Sequence, residues 1–345
     1  MKKILIAAVA MMTLLSCSKD QTLELNQEAI GFSETFINNS VKSVNDPSFS
    51  SAEGGKMFTD FAVFGYVEGA VLFDGVQVSK EITNGDLKSS WKYSGTQYWI
   101  AGANYNFNAV APMTNGGWTK TEANKDATTL SFTNNGTTDL LYATTSQQGK
   151  VSGNTNVAFT FRHVLSKVKF SFLNNYNASN ATIKVKDVKI NNAYENAKVV
   201  LDDNTTWSDQ SSPSLILDFG MATDDESTTA TKENPEIAFA FGKTYETQNE
   251  RFLIPSLTLV PTQVVNENNV IGYHVSFIVE LLVSGTKVGE YAHNVYVNFK
   301  PAAGKSYDIK AEINASNIDP NHAQEPIEFT VNSLPGWGDI ENKKI

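Results

Sequence analysis

After residue 17 the chain carries no helical repeat of any length. Its apolar residues recur instead at every second position, the period at which successive side chains of a strand alternate between the two faces of a sheet. Tyr273, Val275, Phe277, Val279, Leu281 and Val283 form one such face, opposite His274, Ser276 and Glu280. Val295, Val297 and Phe299 repeat the pattern, as do Tyr307, Ile309, Ala311 and Ile313, and Ile327, Phe329 and Val331 alternate with Glu328, Thr330 and Asn332. Short clusters of Asn, Gly, Ser, Thr and Asp separate these runs, which predicts half-buried antiparallel strands and an all-β, sandwich-type chain. At 345 residues the length points to two domains. The polar stretch 144–156, whose only apolar side chain is Val151, is the expected boundary between a first domain over 17–150 and a second over 151–345. Beyond it, Val157, Phe159, Phe161 and Leu165 are odd, while Val168, Phe170 and Phe172 are even. A strand cannot change its inward parity without an interruption, so a bulge or sharp bend is expected near Ser166-Lys167.

The N-terminus reads as a targeting segment. Lys2 and Lys3 precede Ile4–Leu15, an apolar run too short to span a bilayer as a helix. The run ends in Leu14-Leu15-Ser16-Cys17, which resembles a lipoprotein signal; residues 1–16 would be removed and Cys17, the sole cysteine, lipidated. The alternative is an ordinary secretory peptide with an incidental cysteine. Several acyl chains anchor firmly, since each buried methylene contributes about 0.8 kcal/mol, so the expected location is an outer-membrane lipoprotein at the cell surface. The net charge is −10, and −12 once Lys2 and Lys3 are lost. With that charge and two arginines, Arg162 and Arg251, no nucleic-acid partner is expected. One cysteine excludes a disulfide framework, and four scattered histidines, none in a His-Glu-x-x-His pattern, give no catalytic metal site. The acidic groups Asp202, Asp203, Asp209 and Asp224, Asp225, Glu226 lack the alternating ligand spacing of a calcium loop. No cofactor and no nucleophile paired with a base is apparent.

Several blocks occur in an order shared with a known family. Phe159-x-Phe161-Arg162-His163-Val164-Leu165-Ser166-Lys167-Val168-Lys169-Phe170 resembles the signature of the fimbrillin-like proteins, subunits of type V pili and their relatives. Tyr98-Trp99, Tyr105-Asn-Phe107-Asn-Ala109-Val-Ala111-Pro112, Asp139-Leu140-Leu141-Tyr142-Ala143, Ala303-Gly304-Lys305-Ser306-Tyr307 and Ile327 to Trp337 are similar to further blocks of that family; Ile100 and Val110 stand where it usually has Pro and Tyr. The resemblance implies two tandem transthyretin-like β-sandwich domains, export as a lipoprotein precursor, and assembly with other pilus subunits by strand exchange. A protease would cut after a basic residue, the first strand would leave, and a C-terminal strand of the next subunit would fill the groove by β-augmentation. Here that first strand falls within 27–42, with Ile30, Phe32 and Phe36 on one face. Lys42 is the first candidate cleavage position and Lys56 the second, because no arginine precedes Arg162. Ile327, Phe329 and Val331 are the candidate donor strand, which could equally complete its own domain.

The resemblance thus implies a non-enzymatic adhesion protein, a pilus subunit or anchor. The alternative is a surface lipoprotein that binds a host glycan or protein receptor without polymerising. Trp91 and Trp99, near Tyr93 and Tyr98, are its candidate sugar-stacking platform, against the ordinary role of tryptophan in sandwich packing. His163, inside the signature strand, is expected to be packed and hydrogen-bonded.

Overall fold

A computed structural model describes residues 28–33, 36–37, 59–83, 86–211, 213–223, 238, 240–255, 262–265, 268–318 and 327–334. Nearly all of the regular structure is strand, and Ala315–Ile318 is the single helical turn among the described residues.

The first half is built on a seven-stranded sheet with the order Phe36–Ile37, Thr160–His163, Leu141–Gln148, Asn104–Ala111, Asp60–Val67, Ala70–Thr83, Asp86–Tyr93. Its hairpin 60–83 turns at Glu68 and Gly69, both with positive φ, as a two-residue loop requires if it is to follow the twist of its strands. The sheet curls. Trp91 from one end and Phe161 from near the other both pack on Phe61 in its middle, with ring centroids 4.8 and 5.6 Å away. One sheet face therefore encloses a core of Phe61, Val63, Phe73, Phe107, Phe159 and their neighbours.

The second half is a sandwich. One sheet runs Ala222–Thr223, Thr244–Thr247, Ser166–Asn174, Ser306–Ile313, Phe329–Leu334, and the other Leu215–Gly220, Ala181–Ala193, Tyr273–Val283, Thr286–Val297. The alternation read from the sequence is the alternation of burial: Tyr273, Val275, Phe277, Val279 and Leu281 are inside, and only Val283 at the end of the run is exposed. Phe172 meets Phe277 across the core at 5.2 Å.

A four-stranded sheet joins the halves. Thr128–Thr133 of the first pairs with Asn196–Leu201 of the second, flanked by Trp118–Ala123 and Thr206–Ser208. Its inner face closes a third core with Phe64, Tyr66, Val164, Leu165, Tyr194 and Phe252. The chain passes between the two large sheets at Val164-Leu165. There the inward parity changes, from Phe159 and Phe161 in the first core to Val168, Phe170 and Phe172 in the second, two residues before the expected bend. Thr160–His163 still pairs in the first sheet, and Ser166–Asn174 pairs in the sandwich of the second half. The polar stretch 144–156 is the outer end of the strand Leu141–Gln148 plus a loop that leads to the Phe32–Val157 bridge.

Candidate strand-exchange site

The site is built around the segment Glu28–Ser33, which lies between two chain edges and bonds to both. On one side Ala29 forms an antiparallel bridge with Tyr98; the Ile30 N–H donates to the Gln97 carbonyl at 2.8 Å, and the Trp99 N–H donates to the Glu28 carbonyl at 3.0 Å. On the other side Phe32 forms a parallel bridge with Val157. The Val157 N–H donates to the Gly31 carbonyl at 2.8 Å and the Ser33 N–H to the Val157 carbonyl at 3.0 Å. Tyr93 Oη donates to the Ile30 carbonyl at 2.7 Å. Further on, Phe36–Ile37 pairs in parallel with Thr160–Phe161 at the sheet edge. Each neighbouring edge would otherwise present bare N–H and C=O groups.

The side chains explain the fit. Ile30 and Phe32 are 1% and 4% exposed. The Phe32 ring packs on Tyr93 at 5.5 Å and on Phe61, Phe73 and Phe159 at 6.0 Å. Burial of the pair contributes roughly 3–6 kcal/mol before ordering costs. Glu28 fixes the start. Its carboxylate accepts from the Gly153 N–H at 2.7 Å, the Asn154 N–H at 2.6 Å and Asn154 Nδ2 at 2.7 Å. Gly153 has φ +69°, a conformation that turns successive N–H groups toward one point and makes a nest for an anion. The backbone N–H groups of Asn154 and Gly153 hold the Glu28 carboxyl below its ordinary range.

The strand Phe329–Leu334 occupies a different setting. It pairs antiparallel with Ser306–Ile313 and ends its sheet. Ile327 is buried, whereas Phe329 and Val331 are half-buried. The Phe329 ring covers Phe170, Phe277 and Phe172 at 5.8, 5.8 and 6.3 Å. Beside it an open polar concavity of about 510 Å³ is lined by Lys310, Glu312, Asn317 and Glu328, with no aromatic ring.

Of the other residues singled out by sequence, Cys17, Lys42 and Lys56 lie outside the described residues. Trp91 and Trp99 are 6% and 5% exposed. Trp91 lies against Phe61, and Trp99 packs edge-on to Tyr105 at 4.7 Å. Both rings belong to the first core, so neither offers the open face that sugar stacking needs. His163 is buried with Nδ1 on the Asp139 carboxylate. The Asp202 carboxylate caps the N–H groups of Asn204 and Thr205, and among the described residues no group of three or more His, Cys, Asp or Glu is placed to hold a metal.

Two features were not read from the sequence. Glu28 is one. The other is Arg162, which reaches from Thr160–His163 to the Asp202 and Asp203 carbonyls and Thr205 Oγ1, with its guanidinium 5.5 Å from the Tyr142 ring centroid. It ties the strand beside Phe36–Ile37 to the second half. The use of one of two arginines on a strand end was the available signal.

Solved structures with a similar chain trace include a proposed cell adhesion protein from Bacteroides uniformis, 13% identical, covering 90% of this chain and 97% of that one with a TM-score of 0.44. Another, from Bacteroides ovatus, is 15% identical over 91% and 98% of the two chains, TM-score 0.43. A proposed polysaccharide-binding protein from Bacteroides thetaiotaomicron is 10% identical over 80% and 90%, TM-score 0.34. No curated protein matches the chain. The fimbrillin-like family model matches residues 51–333, which takes in the joining sheet, the sandwich as far as Ser333 and the curled sheet apart from Phe36–Ile37; the chain belongs to the fimbrillin-like family.

Proposed function

We propose that this surface adhesin-like protein is a fimbrial subunit or anchor that assembles by strand exchange. It would be tethered to the outer membrane through a lipid on Cys17, with Lys42, or failing that Lys56, as the position at which the opening segment is released. The observation that carries this reading is the seat of Glu28–Ser33: two chain edges, on the 97–99 loop and at Val157, bond to one short segment whose Ile30 and Phe32 fill the first core. Take that segment away and both edges and an apolar slot are left open, which favours any strand of matching pattern. A strand carrying Ile327, Phe329 and Val331 has that pattern. The role of a non-polymerising receptor for host glycans is less well supported, because Trp91 and Trp99 are closed into the core.

Lysine-specific digestion of the folded protein tests the proposal. Loss of residues up to Lys42 followed by ladders resistant to SDS is the expected result, with protein carrying both Lys42→Ala and Lys56→Ala as the control that stays monomeric. Cut protein that remains a monomer would overturn it.

A further inference from the structure

Where Glu28 enters the fold, two loops hold apolar side chains out of the protein. In the first, Trp99 turns inward and is 5% exposed, while Tyr98 and Ile100 on either side of it are 45% and 57% exposed, the alternation that an extended stretch imposes. In the second, Val151 is 85% exposed. Glu28 ties the two together: its carbonyl accepts from the Trp99 N–H at 3.0 Å and its carboxylate from the Gly153 N–H at 2.7 Å. The loops also meet directly, since the Gly102 N–H donates to the Gly149 carbonyl at 2.7 Å. Single exposed apolar residues are ordinary, but a group gathered at one place marks a contact surface. We propose that Tyr98, Ile100 and Val151 form the face on which the uncut, anchored chain rests on the membrane, with their side chains at the boundary between headgroups and acyl chains. This rests on the lipid anchor at Cys17 proposed above and adds to it the surface that lies against the bilayer.

Neither loop needs these side chains to keep its shape. The Ile100 N–H donates to Tyr105 Oη at 2.7 Å, and the Ile100 carbonyl accepts from the Ala103 N–H at 3.2 Å. The Lys150 N–H donates to Asn154 Oδ1 at 2.7 Å, and Asn154 Nδ2 donates to the Lys150 carbonyl at 3.0 Å. The backbone therefore presents Tyr98, Ile100 and Val151 from fixed positions. The occupant follows from the tether and from charge. Glu28 comes eleven positions after Cys17, a reach of at most roughly 40 Å, so an acyl group on that cysteine keeps this end of the molecule beside the bilayer. The chain has 37 acidic against 27 basic side chains, yet residues 97–104 and 147–156 contain no acid and one base, Lys150. Glu28 and Glu68 reach these stretches from elsewhere, and each is engaged by N–H donors. Such a surface meets anionic headgroups without the repulsion that an acidic one would meet. A tyrosine beside aliphatic side chains is also the composition suited to the headgroup level.

Depth-dependent quenching tests this on the lipidated, uncut chain, held one copy per disc in nanodiscs of phosphatidylethanolamine and phosphatidylglycerol. Acylation takes up the Cys17 thiol, the only native one, so Val151→Cys supplies a single site for an environment-sensitive fluorophore. Val288→Cys is the reference, at a position 56% exposed in the second sandwich. With lipids brominated on their acyl chains, the label at 151 should be quenched roughly threefold more than the label at 288. Tyr98→Ser combined with Ile100→Ser should remove most of that difference and leave the melting temperature unchanged, because both side chains project from the fold. Equal quenching at 151 and 288 on an acylated chain would overturn the membrane face and leave the anchor standing. Shielding of 151 that appears only with two copies per disc would place a second copy on the surface and overturn it as well. A Cys17 whose mass shows no acyl chain would overturn the anchor and the membrane face together.

Discussion

The opening segment and the closing strand present nearly the same side chains in two different ways. At the opening, Ile30 and Phe32 are fully enclosed, backbone bonds run to chain on both sides, and the leading carboxylate is held by three N–H donors. At the close, the strand pairs on one side only, with Phe329 and Val331 half-buried at the edge of its sheet. The closing strand is the more readily moved of the two. A two-sided slot with a deep aromatic socket binds its strand harder than a one-sided edge does, so a strand leaving the second sandwich for the slot gains burial for the same residues.

The largest expected effect follows from that asymmetry. Phe32→Ala empties the socket formed by Phe61, Phe73, Tyr93 and Phe159 and should destabilise the first half by about 3–5 kcal/mol, read from denaturant unfolding. A loss under about 1 kcal/mol would mean that the segment is held by its backbone and the comparison fails. Arg162→Ala comes next, at about 1.5–3 kcal/mol from lost charge-assisted bonds to the 202–205 loop. It should loosen the junction while leaving the opening segment as resistant to protease as before, which separates the slot from its surroundings. Phe329→Ala should lower stability by only about 1–2 kcal/mol, because its ring is already half in water; an effect equal to that of Phe32→Ala would erase the distinction between the two strands.

The smallest effect is electrostatic. Glu28 has its folded pKa depressed below the ordinary value of 4.5 by the Asn154 and Gly153 N–H groups. Its contribution is therefore in place above that value and is lost as pH falls through the lowered one. The second sandwich has its own acid-sensitive group, Glu280, held at about 2, chiefly by its bond to Lys186. Proteolytic release of the opening segment by an acid-active protease should accelerate below pH 4.5 while the 273–297 hairpin stays protected, and Glu28→Gln should show the faster release at neutral pH. Equal acid sensitivity of both regions would contradict this.

Much of this architecture is legible in the residues. Period-two runs give the strands Tyr273–Val283 and Ser306–Ile313 almost to the residue, and the parity change between Phe161 and Val168 marks where the chain changes sheets. The inward faces of Ile30 and Phe32 follow from the same rule. What alternation does not encode is partnership between distant segments. The pairing of Thr128–Thr133 with Asn196–Leu201 joins stretches with no local signal for each other, and so does the bridge from Val157 back to Phe32. Trp91 and Trp99 illustrate the same limit, since a tryptophan beside tyrosines reads alike on a surface and in a core. The Glu28 nest depends on the backbone conformation of Gly153, which the acidic residue itself cannot announce.

Two amides report directly on whether the opening segment separates from a slot that then takes another strand. Trp99 N–H donates to the Glu28 carbonyl and Val157 N–H to the Gly31 carbonyl, so each is protected from hydrogen exchange only while a strand sits between the two edges. Exchange measured on intact, cut monomeric and assembled protein should show both amides protected, then exposed, then protected again. Protection that survives in the cut monomer, or that fails to return on assembly, would contradict the account.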